Sequence, residues 1–177
     1  MRAILVLLSV LAILAATASA SQRPLTARAT KSPSLLRLPR ATRTGEQTLW
    51  GHIRFLTRTS GQWQMKFDPG LLLFGTAAEG AQFDDTGMKG PVANDSYTVE
   101  ETHRVYTFTV SPGATITVLT KGLRTAAVGV SEFAQILRGK NPKRRPLFGQ
   151  PKRFGFWIRV GTKFPNPVLS IDEQYQP

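Results

Sequence analysis

Side chains able to do acid–base or metal chemistry are sparse in this chain. Cysteine is absent, and histidine occurs only as His52 and His103. With no thiolate and no H-x-x-H spacing, a zinc site would need carboxylates to complete it, and no spacing assembles one. There is no G-x-S-x-G elbow and no phosphate-cradling glycine loop followed by Lys-Ser/Thr. The carboxylates include three adjacent pairs, Asp84-Asp85, Glu100-Glu101 and Asp172-Glu173. Two carboxylates flanking a glycosidic bond can hydrolyse it. One reading is therefore a hydrolase of an envelope polymer, with two of Asp95, Glu101, Asp172 and Glu173 as acid and base. Pairs of this kind are common in domains of this size, so no residue is assigned a catalytic role and no metal or cofactor is expected.

The bases are more informative. The chain has 23 Lys and Arg against 11 Asp and Glu, a formal net charge of +12. Residues 21–44 hold Arg23, Arg28, Lys31, Arg37, Arg40 and Arg43 without one acid. Residues 138–153 hold Arg138, Lys140, Lys143, Arg144, Arg145, Lys152 and Arg153, again without an acid. These thirteen bases exceed the whole net charge, so the rest of the chain is close to neutral. The first stretch is rich in Ser, Thr, Ala and Pro and reads as a disordered linker over 21–46. The second contains Pro142 and Pro146 and reads as a loop. Lys140, Lys143, Arg144, Arg145, Lys152 and Arg153 are the candidate polyanion contacts. A solvated loop that only aids solubility explains the same charge run equally well.

The start fixes where such contacts would occur. One positive residue, Arg2, precedes the apolar run Ile4–Leu14, and small residues end in Ala18-Ser19-Ala20. This is the three-part pattern of an export signal, with cleavage expected after Ala20. The run is shorter than the roughly 20 apolar residues a span needs, so no stable transmembrane segment is expected after cleavage. The mature chain is expected to be secreted or held in the cell envelope. Without cysteine it must fold by burial alone.

The elements that must position these groups are mostly strands. Residues 49–56 alternate, placing Gly51, Ile53 and Phe55 on one face, and 62–67 alternate with Trp63, Met65 and Phe67 inward. Asp68-Pro69 predicts a helix start, with the helix over 70–83 and an irregular loop over 84–96. Strands are expected at 104–110, 114–119, 125–130, 154–160 and 168–172. A tight turn at Ser111-Pro112-Gly113 separates the first two of these. Ser131 predicts a second helix that ends at Gly139. Phe148, Phe154, Phe156 and Trp157 stand near the basic loop, where stacking beside a groove would suit single-stranded nucleic acid. An exported chain seldom meets nucleic acid, and that reading ranks below the others. The fold class is α+β, mainly β: a small antiparallel barrel or strongly curved sheet of six to seven strands with two short helices, in one domain over 47–177.

Several short motifs resemble a group of exported bacterial proteins, mainly actinobacterial and other Gram-positive. They are Asn94-Asp95-Ser96-Tyr97, Glu101 with Arg104 and Tyr106, Ala114–Leu119, Ser131–Leu137, Phe156-Trp157-Ile158, and the run Glu173-Gln174-Tyr175-Gln176-Pro177. Ser96 stands where that group usually has an aromatic residue. The resemblance implies a secreted or envelope protein and carries no catalytic residue across. It singles out Asp95, Tyr97, Glu101, Arg104, Glu173 and Tyr175 as a candidate polar and aromatic cluster. The group either closes a sheet or lines a cleft, and the first is favoured. Arg104 is expected to pair with Asp172 or Glu173. The leading expectation is a non-enzymatic module that contacts anionic cell-wall or membrane-surface material through its basic tail and loop; its oligomeric state is left open.

Overall fold

The structure, a computed structural model, describes residues 43–100, 104–149 and 154–175. The export signal with Ala20, most of the basic linker, Glu101, His103, Lys152 and Arg153 lie outside the described residues. The elements are β1 (Glu46–Thr59), β2 (Gln62–Phe74), α1 (Gly75–Thr86), β3 (Ser96–Val99), β4 (Tyr106–Thr120), β5 (Arg124–Val128), α2 (Val130–Leu137), β6 (Gly155–Gly161) and β7 (Val168–Gln174).

Five of the strands close on themselves. β1 lies antiparallel between β2 and β6, β6 pairs with β7, and β4 pairs with both β7 and β2. Around the barrel the order is β1-β2-β4-β7-β6, and β3 and β5 extend it as extra strands on β2 and β4. The expected mainly β barrel is thus the observed one, with one difference: β4 and β7 run parallel. A parallel pair needs a long crossover, which β5, α2 and β6 provide. Five strands in this order, with a helix in the crossover, have the connectivity of the OB-type Greek-key barrel.

Two bent strands make closure possible. β1 gives residues 46–51 to β6 and residues 50–59 to β2. The bend falls at Gly51, where a Cβ would stand 2.1 Å from the Asp68 carbonyl oxygen, so only glycine lets β2 cross this closely. β4 bends over 111–114. Its first half pairs with β2, and its second half with β5 and β7. The tight turn expected at Ser111-Pro112-Gly113 does not form. Those residues are a bulge inside one continuous strand, because 106–110 pairs with β2 rather than with its sequence neighbour. Proline, with no N–H to give a ladder, is tolerated at such a bulge.

The helix expected over 70–83 begins only at Gly75. Asp68 does not cap a helix. It accepts hydrogen bonds from the Arg54 guanidinium on β1, and the strand continues because residues 71–74 pair with β3. The predicted loop over 84–96 holds the last turn of α1, and it leads into β3, a four-residue strand too short to leave a periodic signal. α2 starts at Val130 with Gly129, not Ser131, at its N-cap. It buries Phe133, Ala134, Ile136 and Leu137 in one end of the barrel, and the Phe133 ring meets Phe156 edge-on at 5.6 Å. Around it lies a continuous core that includes Ile53, Met65, Phe67, Ile116, Ile158 and Ile171.

Overpacking at Gly51 sets a direct check. Gly51→Ala should destabilise the fold by about 1–3 kcal/mol or more, the usual range for forced core contacts. Gly113→Ala, where a Cβ meets nothing within 4 Å, should stay within about 0.5 kcal/mol. Equal urea midpoints for the two variants would refute the close-crossing account.

Candidate polyanion-binding surfaces

The basic loop is built, not loose. The α2 helix ends at Gly139 (φ 78°), and Asn141 then brackets a turn. Its Oδ1 accepts from the Arg145 N–H at 2.8 Å, and its Nδ2 donates to the Arg145 carbonyl at 2.6 Å. The Arg145 Nε donates to Glu132 at 2.5 Å, and the Lys143 Nζ reaches the same carboxylate at 3.0 Å. Glu132 is buried on α2. The Arg145 hydrogen bond holds its carboxyl below the usual range against the opposing effect of burial, and Lys143 helps. Farther on, the Lys121 N–H donates to the Pro146 carbonyl at 2.8 Å and the Phe148 N–H to the Leu119 carbonyl at 3.0 Å. Of the expected contacts, Lys143 and Arg145 are thus engaged with an internal acid. Lys140 and Arg144 project from exposed positions.

A second basic surface was not expected from the sequence. On the outer face of β1, the register slips between Ile53 and Phe55. The bulge leaves both Arg54 and Phe55 facing solvent before Leu56 returns to the core. Phe55, expected inward, is 66 % exposed. The sequence signal is the adjacent apolar pair Phe55-Leu56, which a regular strand cannot turn to the same face. A shallow groove of about 660 Å³ runs here, lined by His52, Arg54, Phe55, Lys66, Asp68 and Val105 among others. Arg54 holds buried Asp68, and the Lys66 Nζ donates to the Thr107 hydroxyl at 2.6 Å. His52 meets Trp50 edge-on at 5.3 Å and lies 3.8 Å from Glu100. Beside Val105, the Arg104 guanidinium lies 5.3 Å from the centre of the Tyr106 ring.

Of the six residues expected as one polar and aromatic cluster, Glu101 lies outside the described residues and the other five fall into separate sets of contacts. Asp95 is exposed, at the end of a short turn. The Tyr97 hydroxyl donates to Asp85 on α1 at 2.5 Å, and this carboxylate raises the phenol above its usual range. Arg104 covers Tyr106, Asp172 accepts from the Thr117 hydroxyl at 2.6 Å and Glu173 from the Leu119 N–H, so the expected pairing of Arg104 with Asp172 or Glu173 does not form. Tyr175 packs with Phe148 at 5.3 Å and Phe154 at 6.4 Å beside the basic loop. Phe156 is fully buried core. Adjacent residues of a strand face opposite ways. Glu173 therefore turns inward, while Asp172 turns out. Among the described residues, no group of three or more His, Asp and Glu is placed to hold a metal.

Glu173 is the unusual carboxyl. It is 4 % exposed and accepts the Leu119 N–H at 2.5 Å. Burial pushes it up to about 7, and the Leu119 bond offsets only part of this. Since the folded value lies above the ordinary one, its contribution to stability is complete below pH 4.5 and is lost as the pH rises through 7. Glu173→Gln, which keeps an acceptor for Leu119, should be more stable than the parent at pH 8 by roughly 3 kcal/mol, and equal to it at pH 4. Urea titrations at the two pH values test this, and an unchanged difference between them would refute it.

No family model, curated protein or solved structure matches this chain, and what it does is read from its own surface.

Proposed function

We propose that this protein is an exported, non-enzymatic binding module that holds an anionic polymer of the cell envelope against its basic barrel. The observation that carries the reading is the β1–β2 groove, where an exposed aromatic ring, Phe55, stands beside Arg54 and Lys66. Arg54 offsets Asp68, the acid inside the groove, so Lys66 leaves the lining with one net positive charge. Barrels of this connectivity bind extended polymers on the face of their second and third strands, here β2 and β4, which borders the groove at Lys66; this analogy of fold raises the expectation without assigning a ligand. Lys140 and Arg144 add a second contact at the loop, and the basic linker over 21–46 adds charge in the mature chain. The hydrolase reading requires two of Asp95, Glu101, Asp172 and Glu173 in one cleft. Asp172 and Glu173 point to opposite faces of β7, and Glu101 lies outside the described residues.

Such contacts are screened by salt. The mature protein should bind isolated envelope material and a dextran sulfate resin at low salt and elute as salt rises. Phe55→Ala/Lys66→Ala and Lys140→Ser/Arg144→Ser should each elute earlier, with about two- to fivefold weaker binding per neutralised cation. All four substitutions are at exposed positions and should leave the urea midpoint in place. Retention of both double variants at the parent's salt concentration would refute the proposal. The secreted form should begin at Ser21, which N-terminal sequencing of protein from the medium or wall would read directly.

A further inference from the structure

α2 closes one end of the barrel. The other end, where β1 begins and β6 finishes, opens into a cavity of about 510 Å³. Phe67 and Val160 lie deepest, both buried. Phe108 meets Phe67 edge-on at 6.2 Å and stacks on Tyr106 at 6.4 Å, which makes an aromatic wall. Gln47, Thr162 and Asn166 form the rim. No lining side chain is charged, although the chain carries +12.

The rim is held in place by the backbone. The Thr162 N–H and hydroxyl both donate to the Gly45 carbonyl, at 2.9 and 3.0 Å. The Gly161 N–H donates to the Pro167 carbonyl at 2.9 Å, and the Asn166 N–H to the Lys163 carbonyl at 2.8 Å. Phe164, 96 % exposed, stands at the tip of the same loop.

We propose that this mouth binds one uncharged sugar ring of a glycan. A sugar ring has apolar C–H faces, which the aromatic wall covers. Its edge carries hydroxyls, which need groups that both donate and accept, as the side-chain amides of Gln47 and Asn166 do. An ionised group would lose its water here and meet no charged side chain in the lining. An acyl chain would use the walls but none of the rim. The inference rests on the polymer-binding reading and narrows the polymer to a glycan that carries uncharged units.

Isothermal titration of the mature protein with neutral tetrasaccharides of glucose and of N-acetylglucosamine, and with decanoate, tests it. At least one tetrasaccharide should bind with a Kd that is unchanged between about 0.05 and 0.5 M salt, whereas the resin contact weakens over the same range. Gln47→Ala and Asn166→Gly should each weaken that binding about three- to tenfold, the loss of one hydrogen bond. Glycine keeps the positive φ of 51° at position 166, so the rim backbone is preserved. Silence with both tetrasaccharides, binding of decanoate alone, or parent-like binding by both variants would overturn the inference. Retention on dextran sulfate separates it from the polyanion reading. If Gln47→Ala elutes like the parent while the sugar titrations are silent, the mouth assignment fails and the polyanion reading stands. If sugars bind and salt-sensitive retention is absent, the reverse holds.

Discussion

The barrel depends on one aromatic ring placed outside it. Trp50 points away from the barrel interior, yet it is only 3 % exposed, because its indole lies across both strands that flank β1. It can do so only where those strands have no side chain. A Cβ at Gly155 would stand 2.4 Å from the ring, and one at Gly70 would stand 2.9 Å from it. The indole thus fastens β2 and β6 to β1 just where β1 passes from one partner to the other. Burial of a side chain of this size outweighs the cost of its Nε1, which has no hydrogen-bond partner among the described residues. His52, two residues on, packs its edge against the same ring, so the groove on the outer face begins from a fixed edge.

Charge in this protein has two uses, and the sequence alone does not separate them. Within the run 138–153, Arg145 and Lys143 neutralise a buried acid and tie the loop to α2, while Lys140 and Arg144 remain at the surface. Removing one partner of a buried pair leaves a charge that the interior disfavours. Changing Arg145 would therefore disturb the loop as well as its field. Arg54 repeats the arrangement on the barrel face, where it compensates Asp68 and still presents half of its side chain to solvent.

Much of the architecture was legible because it rests on local periodicity. The alternation of 62–67, the apolar stripe of Phe133, Ile136 and Leu137, and the strands at 154–160 and 168–172 all appear close to where the residues placed them. The misreadings share one cause: a long-range partner overrode a local signal. Asp68-Pro69 has the composition of a helix start, but Arg54 claims the carboxylate. Ser111-Pro112-Gly113 has the composition of a hairpin turn, but β2 claims the residues before it. The groove was less legible still, because a bulge moves Phe55 to the opposite face from the one that strict alternation assigns. The basic loop was found from composition, whereas its internal ion pairs depend on Glu132, an acid outside the run that only the fold brings near.

The parallel pairing of β4 with β7 carries a temporal consequence. Among the described strands, residues 168–174 are translated last, and it is they that join β4 to β6. A chain still lacking them has an open sheet with two unpaired edges and an interior exposed to water. Closure must then wait for the last strand, and contacts this distant in sequence form slowly. Until that moment the apolar interior stays open to water.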